Sequence, residues 1–195
     1  HGEDGTKLSK RHGAVNILDL KNNGYLKEAI INNLILLGWS NNNEKSETIE
    51  LDEIIENFEI SNLSKSSSIF SFDKLDFFNN FYLRKENGAE EFINFCESDI
   101  ELNKYLQKDS TKMKNIFNIY KKDIKKLSDL NDSIKVYFDE NYKINKTEKL
   151  TSEFDSFFKE FLNLIAEIDD WNRDNIQNAI NDFLKNNKIK FPVLG

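Results

Sequence analysis

Apolar residues recur along this chain at helical spacing, and no segment carries the strict alternation of a half-buried strand. Met113, Ile116, Phe117, Tyr120, Ile124 and Leu127 fall on one helix stripe, which predicts a single helix through this stretch. Phe154, Phe157, Phe158, Phe161, Leu162, Ile165 and Ile168 form another. Earlier, Leu26, Ala29, Ile30, Leu34 and Leu37 share a face while Ile31, Ile35 and Leu36 cover the rest, so a helix over 26–37 is expected to be buried. Gly38 is expected to end it, with Trp39 packed just beyond. Asn23-Gly24 reads as a helix C-cap because a helical pattern follows it. Shorter helices are expected over 51–58 and 72–84, the second dense in Phe72, Phe77, Phe78, Phe81 and Tyr82. A last helix is expected over 171–185, with Asp170 as its N-cap. The polar stretches 41–46 and 61–68 read as connections, and Glu86-Asn87-Gly88 as the turn between two helical subdomains. The expected fold class is therefore all-α.

Composition narrows the functional classes. With 38% hydrophobic residues, 16 Phe and a single Pro, the chain can bury a core, which argues against disorder. A net charge of −7 argues against a generic basic coat for nucleic acid but leaves room for a local basic face. Residues 112–126 supply one: Lys112, Lys114, Lys121, Lys122, Lys125 and Lys126 stand against Asp123 alone. On a continuous helix these lysines would lie opposite the Met113–Leu127 stripe. The one cysteine, Cys96, sits beside Phe92 and Phe95 and reads as a small buried apolar residue, so neither a disulfide framework nor a metal site is expected. No run approaches the roughly 18 apolar residues of a membrane span, so no membrane association is expected. His1 in place of Met, and no signal-like run after it, suggest a piece of a longer protein.

The segment richest in chemistry is Asp4-Gly5-Thr6-Lys7-Leu8-Ser9-Lys10-Arg11-His12-Gly13-Ala14. Gly5 and Gly13 bracket three cations with a small hydroxyl between them, a composition suited to a loop that closes over a polyphosphate. Ammonium and guanidinium groups neutralise charge that develops on phosphate oxygens, and the Lys7-x-x-Lys10 spacing lets two ammonium groups reach one triphosphate.

The string Lys7-Leu8-Ser9-Lys10-Arg11-His12-Gly13-Ala14 resembles the second signature loop of class I aminoacyl-tRNA synthetases, in its glutamyl form. The general pattern is Lys-Met-Ser-Lys-Ser, with Leu and Arg as usual glutamyl substitutions at the second and fifth places. The resemblance continues through Gly24-Tyr25-Leu26 and Ala29 to Leu36-Leu37-Gly38-Trp39-Ser40. Lys74-Leu75, Phe77, Asn79 and Tyr82-Leu83 are similar to the family's Lys-Leu-x-Trp-x-Asn-x-x-Tyr-Ile, with Phe77 in place of Trp, and Trp171, Ala179, Phe183 and Lys188-Ile189-Lys190 to its late Trp-headed helix.

The resemblance implies the C-terminal, tRNA-binding part of a bacterial-type glutamyl-tRNA synthetase. It implies the signature loop at 1–14, a helical stem-contact subdomain at 15–87, and at 88–195 an anticodon-binding helical cage that is incomplete at its end. By the same resemblance Lys10 contacts ATP, Lys7 helps stabilise the adenylation transition state, and Ser9 joins them in binding ATP; the resemblance assigns His12 no role, and it reads as a loop-anchoring rather than a catalytic residue. ATP, with Mg2+, and glutamate would be substrates of the parent enzyme, with none bound by this part alone. The partners would be tRNA(Glu), with tRNA(Gln) as the further candidate, for a cytoplasmic monomer. Lys121, Lys122, Lys125 and Lys126 would contact tRNA phosphates. Some family members discriminate an anticodon base with an Arg near the position of Asp123; this chain has none there. The first class I signature, His-Ile-Gly-His in general form, is absent, as are the glutamate pocket and the dinucleotide-fold core, so this part alone is expected not to aminoacylate. A glutaminyl synthetase would bring β-barrels to the anticodon-binding region, and no strand pattern is present. A stand-alone nucleic-acid module or a helical interaction protein would leave the Lys7–Ala14 string unexplained.

Overall fold

Local caps set the helix boundaries in this computed structural model, which describes residues 16–39, 47–66, 68–142 and 152–189. Asn16 caps α1 (Ile17–Asn22), its side chain accepting from the Leu18 N–H at 3.1 Å. Asn23 ends the helix and Gly24 follows with φ 82°. The Tyr25 N–H returns to the Leu20 carbonyl and the Gly24 N–H to the Lys21 carbonyl, the paired bonds of a Schellman motif. α2 (Lys27–Ile35) runs on to Gly38 and to Trp39, which is 3% exposed. α3 (Leu51–Asn57) precedes a 3-10 turn at Ile60–Asn62. Ser71 caps α4 (Phe72–Leu83) through the Lys74 N–H. Beyond the 85–88 turn come α5 (Gly88–Ser98), α6 (Ile100–Lys108) and α7 (Ser110–Tyr120), then a 3-10 turn at Leu127–Leu130 and α8 (Asn131–Phe138). Asp99 and Asp109 cap α6 and α7 with their carboxylates. The described residues carry ten α-helices and no named strand; the lone β-bridge joins Trp39 and Leu63. The chain is all-α.

The chain forms two compact units, 1–142 and 143–195. In the first, one core takes Leu20, Tyr25, Leu26 and Ala29 from the start, Leu75, Phe78 and Leu83 from α4, and Phe92, Met113, Phe117, Leu127, Ile134 and Phe138 from beyond the 85–88 turn. The Phe92 and Phe117 rings stack at 5.2 Å. A smaller cluster joins Trp39, Ile49 and Ile54. The Glu86-Asn87-Gly88 turn lies within this first unit. In the second unit α9 (Ser152–Ala166) packs on α10 (Arg173–Asn187), with Phe161 against the buried Phe183 at 5.2 Å.

Three local expectations need correction. α10 is capped by Asn172, whose side chain accepts from the Asn175 N–H; Asp170 stands outside and accepts from the Asn172 side chain. The α2 helix is not buried all round: Leu34 is exposed, while Asn32 and Asn33 are buried. The Asn32 side chain donates to the Glu47 carbonyl and accepts the Ile49 N–H, so a polar side chain on α2 holds the approach to α3. The third correction concerns the Met113–Leu127 stripe. It is not one helix: α7 stops at Tyr120, residues 121–126 form a turn, and Leu127 opens the 3-10 segment. Met113, Ile116, Phe117, Ile124 and Leu127 are nevertheless all buried.

Candidate nucleic-acid interface

The turn at 121–126 deviates from helix because two adjacent asparagines of α4 take its carbonyls. The Asn80 side-chain amide donates to the carbonyls of Lys121, Lys122 and Ile124, at 3.3, 3.3 and 2.6 Å. Asn79, fully buried, donates to the Lys125 carbonyl at 2.7 Å and to the Gly24 carbonyl at 3.4 Å, and its Oδ1 accepts the Leu26 N–H at 2.7 Å. The Leu127 N–H then donates to the Gly24 carbonyl and the Ser128 N–H to that of Asn23. The asparagines satisfy carbonyls that no helical N–H reaches, because the Lys125 and Lys126 N–H groups are taken by Asp129 and those of Leu127 and Ser128 by Gly24 and Asn23, so the chain turns. Gly24 is needed at this crossing: beside its positive φ, a Cβ there would lie 2.5 Å from the Leu127 Cβ.

The lysines of the basic run therefore do not line one helical face. The Lys112 ammonium donates to the Tyr137 carbonyl at 2.7 Å and lies 4.7 Å from the centroid of the Phe138 ring. Lys114 is exposed on α7. The Lys121 ammonium donates to the Asn118 side chain, and Lys122 is exposed. Lys125 pairs with Asp76 at 3.0 Å, and Asp76 also accepts from the Tyr25 hydroxyl at 2.6 Å. The same carboxylate raises the Lys125 pKa, through its hydrogen bond first and its charge second. Burial, then Asp76, holds the Tyr25 phenol far above its ordinary range. Lys126 is half-buried; its N–H and that of Lys125 donate to the Asp129 carboxylate. Of the four tRNA-binding candidates, Lys121 and Lys122 thus stand together at one end of the turn, and Lys125 faces a carboxylate.

Sequence reading passed over Asn80 and Arg84. The Arg84 guanidinium donates to the Asn80 side-chain oxygen and to its carbonyl, and Arg84 is exposed. Their separation by four along α4 was the available signal. Phe77, at the family's Trp position, is 56% exposed one turn earlier on the same helix. Phe77, Phe81, Arg84 and Lys85 line a shallow concavity. Lys85 pairs with Glu50 and lies over the Phe81 and Tyr82 rings. Tyr82 itself is buried and donates to the Ile49 carbonyl at 2.8 Å and to Asn32 at 3.1 Å. Burial, with the charges of Glu50, Glu28 and Glu53, pushes its phenol up to about 12. Cys96 is fully buried, and desolvation pushes its thiol up to about 12, which leaves it little thiolate for chemistry.

Lys7, Leu8, Ser9, Lys10, Arg11 and His12 lie outside the described residues. Among the described residues no group of three or more His, Cys, Asp or Glu is placed to hold a metal, and no helix is long and apolar enough to cross a membrane.

Residues 1–77 match the family of class I tRNA synthetases (E and Q), catalytic domain, and residues 89–195 match the anticodon binding domain. A helical chain joining those two matches falls in the class I aminoacyl-tRNA synthetases. A glutamate–tRNA ligase of Borreliella burgdorferi is 38% identical over 155 residues, 77% of this chain and 31% of that protein. Glutamate–tRNA ligase 1 of Fervidobacterium nodosum is 33% identical over 191 residues, 97% of this chain and 38% of that protein. One from Nitrosomonas eutropha is 30% identical over 195 residues, 99% of this chain and 41% of that protein. A crystal structure of a glutamate tRNA ligase from Elizabethkingia meningosepticum, in complex with its amino acid, superposes with a TM-score of 0.65 at 23% identity over 88% of this chain and 34% of that one, and supports the fold. The anticodon binding match alone covers more than half of the sequence, and the chain belongs to the bacterial-type glutamyl-tRNA synthetase family. It spans 31–41% of the length of these curated relatives.

Proposed function

We propose that this chain is the tRNA-binding, anticodon-recognising portion of a glutamate–tRNA ligase, which activates glutamate with ATP and transfers it to the terminal adenosine of tRNA. The observation that carries this reading is the order of matches within one chain: a class I catalytic-domain match at 1–77, then an anticodon binding match at 89–195. The functional division proposed is a signature loop at 1–14, a stem-contact region at 15–87 and an anticodon-binding region from 88 onward. Lys10 contacts the ATP phosphates, Lys7 stabilises the charge that develops on them during adenylation, and Ser9 completes the loop's phosphate contacts. ATP enters as its Mg2+ complex. Of the lysines of 121–126, Lys121 and Lys122, which have no carboxylate partner among the described residues, supply phosphate contacts to tRNA. The acceptor is tRNA(Glu), with tRNA(Gln) as the second candidate, and the protein works as a cytoplasmic monomer.

The test is fluorescence anisotropy of labelled tRNA transcripts titrated with this chain. The reading expects tRNA(Glu) to bind more tightly than an unrelated tRNA, and the tRNA(Gln) titration decides its breadth. Equal affinity for all three transcripts would contradict anticodon recognition.

A further inference from the structure

Asn80 joins three cationic residues, one by its side chain and two by their backbone carbonyls. Its side-chain amide donates to the Lys121 and Lys122 carbonyls, both at 3.3 Å, while its oxygen accepts from the Arg84 guanidinium. One asparagine thus fixes the end of α4 and the start of the 121–126 turn side by side. No carboxylate among the described residues pairs with Arg84, Lys121 or Lys122. Lys85 and Lys125, by contrast, are paired with Glu50 and Asp76. The nearest acid in sequence is Asp123, which is exposed and makes no ion pair among the described residues. The Lys121 ammonium donates only to the neutral Asn118 side chain, which leaves its charge uncompensated. The exposed Phe77 ring stands on the same helix one turn before Asn80, an apolar surface beside the cations.

We propose that Arg84, Lys121 and Lys122 form one binding surface for the sugar-phosphate backbone of tRNA, organised by Asn80 as a positioning residue, and that Lys125 is not part of it. This rests on the tRNA-binding reading above. Lys125 is committed to a three-residue latch: its ammonium and the Tyr25 hydroxyl hold the two oxygens of Asp76, joining the α1–α2 link, α4 and the turn. That latch carries no net excess charge, so it releases no counterions when a phosphate arrives. The surface carries no base readout, because a cation on a phosphate reads no sequence.

The experiment measures the salt dependence of tRNA(Glu) affinity, by anisotropy, in the complete ligase carrying this chain. Each phosphate contact contributes about 0.7–0.9 to the slope of log K against log salt, so Arg84→Gln with Lys121→Gln and Lys122→Gln is expected to reduce the slope by roughly two to three. At about 0.1 M salt this corresponds to an affinity loss of up to roughly tenfold per contact. The paired change Asp76→Asn with Lys125→Gln, which leaves net charge unaltered, is expected to leave the slope unchanged. Asn80→Ala removes no charge, yet is expected to lower both slope and affinity by freeing the turn. Circular dichroism confirms that each variant is folded. A triple variant with the parent slope, or a latch variant with a reduced one, overturns the proposal. Failure of the unaltered ligase to bind tRNA would instead overturn the tRNA-binding reading itself.

Discussion

Asn79→Ala removes the side chain that joins three separate segments of the first unit. It leaves the Leu26 N–H and the Lys125 carbonyl without their partners, whereas the Gly24 carbonyl keeps the Leu127 N–H. A buried polar group left unpaired costs about 1–3 kcal/mol, so two groups give a loss of about 2–6 kcal/mol. Set against a total stability of about 5–15 kcal/mol for an ordinary domain, that is a large fraction. Urea unfolding can isolate the effect through fluorescence. Trp39 is 3% exposed in the first unit and Trp171 is 63% exposed in the second, so a Trp171→Phe background reports the first unit. At an m-value of about 2 kcal/mol per molar urea, the midpoint should fall by roughly 1–3 M. Asn80→Ala is the internal comparison: its three carbonyl partners are part-buried or exposed rather than fully buried, and water can reach them in place of the amide, so the cost should stay near or below about 1 kcal/mol. A loss below about 0.5 kcal/mol for Asn79→Ala, or equal losses at both positions, would refute the argument that buried Asn79 organises this crossing.

Gly24→Ala places a Cβ 2.5 Å from that of Leu127 at a positive φ, and should cost about 2–4 kcal/mol, seen as a lower midpoint of thermal unfolding; an unchanged midpoint would contradict it. The Tyr82 phenol titrates at about 12 folded against about 10 unfolded, so the stability it contributes is present below pH 10 and lost as pH rises from 10 to 12. Tyr82→Phe should therefore be less stable at pH 8, losing the bonds to Ile49 and Asn32, but decline less steeply between pH 10 and 12 in denaturant titrations; parallel declines would contradict this. In the complete ligase, Lys10→Ala should slow adenylate formation strongly in single-turnover kinetics while leaving tRNA affinity nearly intact, and equal losses would mean that the loop has another role.

Fold class was legible in the sequence because the apolar stripes repeat at helical spacing and survive in the core: Met113, Ile116, Phe117, Ile124 and Leu127 are all buried. The break after Tyr120 was not legible. The residues 121–126 have ordinary helical spacing, and what ends the helix is a pair of side chains some forty positions away in sequence, Asn79 and Asn80, bonding to carbonyls. Periodicity also misjudged α2, where hydrogen bonds to 47–49 and to Tyr82 make Asn32 a buried residue while Leu34 faces out. Asp170 and Asn172 both suit an N-cap by residue type, and only the bond to the Asn175 N–H separates them. For the interface, the lysine run was visible as charge. Which lysines remain unneutralised depends on Asp76 and on the return of α4 to the turn, and neither is encoded locally. The signature loop was legible from its residue string alone and lies outside the described residues.

The most direct test is aminoacylation by the complete ligase that contains this chain, with labelled glutamate, ATP and tRNA transcripts. ATP-dependent, acid-stable, alkali-labile attachment of glutamate to tRNA(Glu), strongly reduced when Lys10 is replaced by Ala, is the expected result. Failure to esterify glutamate to any tRNA, under conditions where the protein is folded and binds ATP, would contradict the assignment to a glutamate–tRNA ligase.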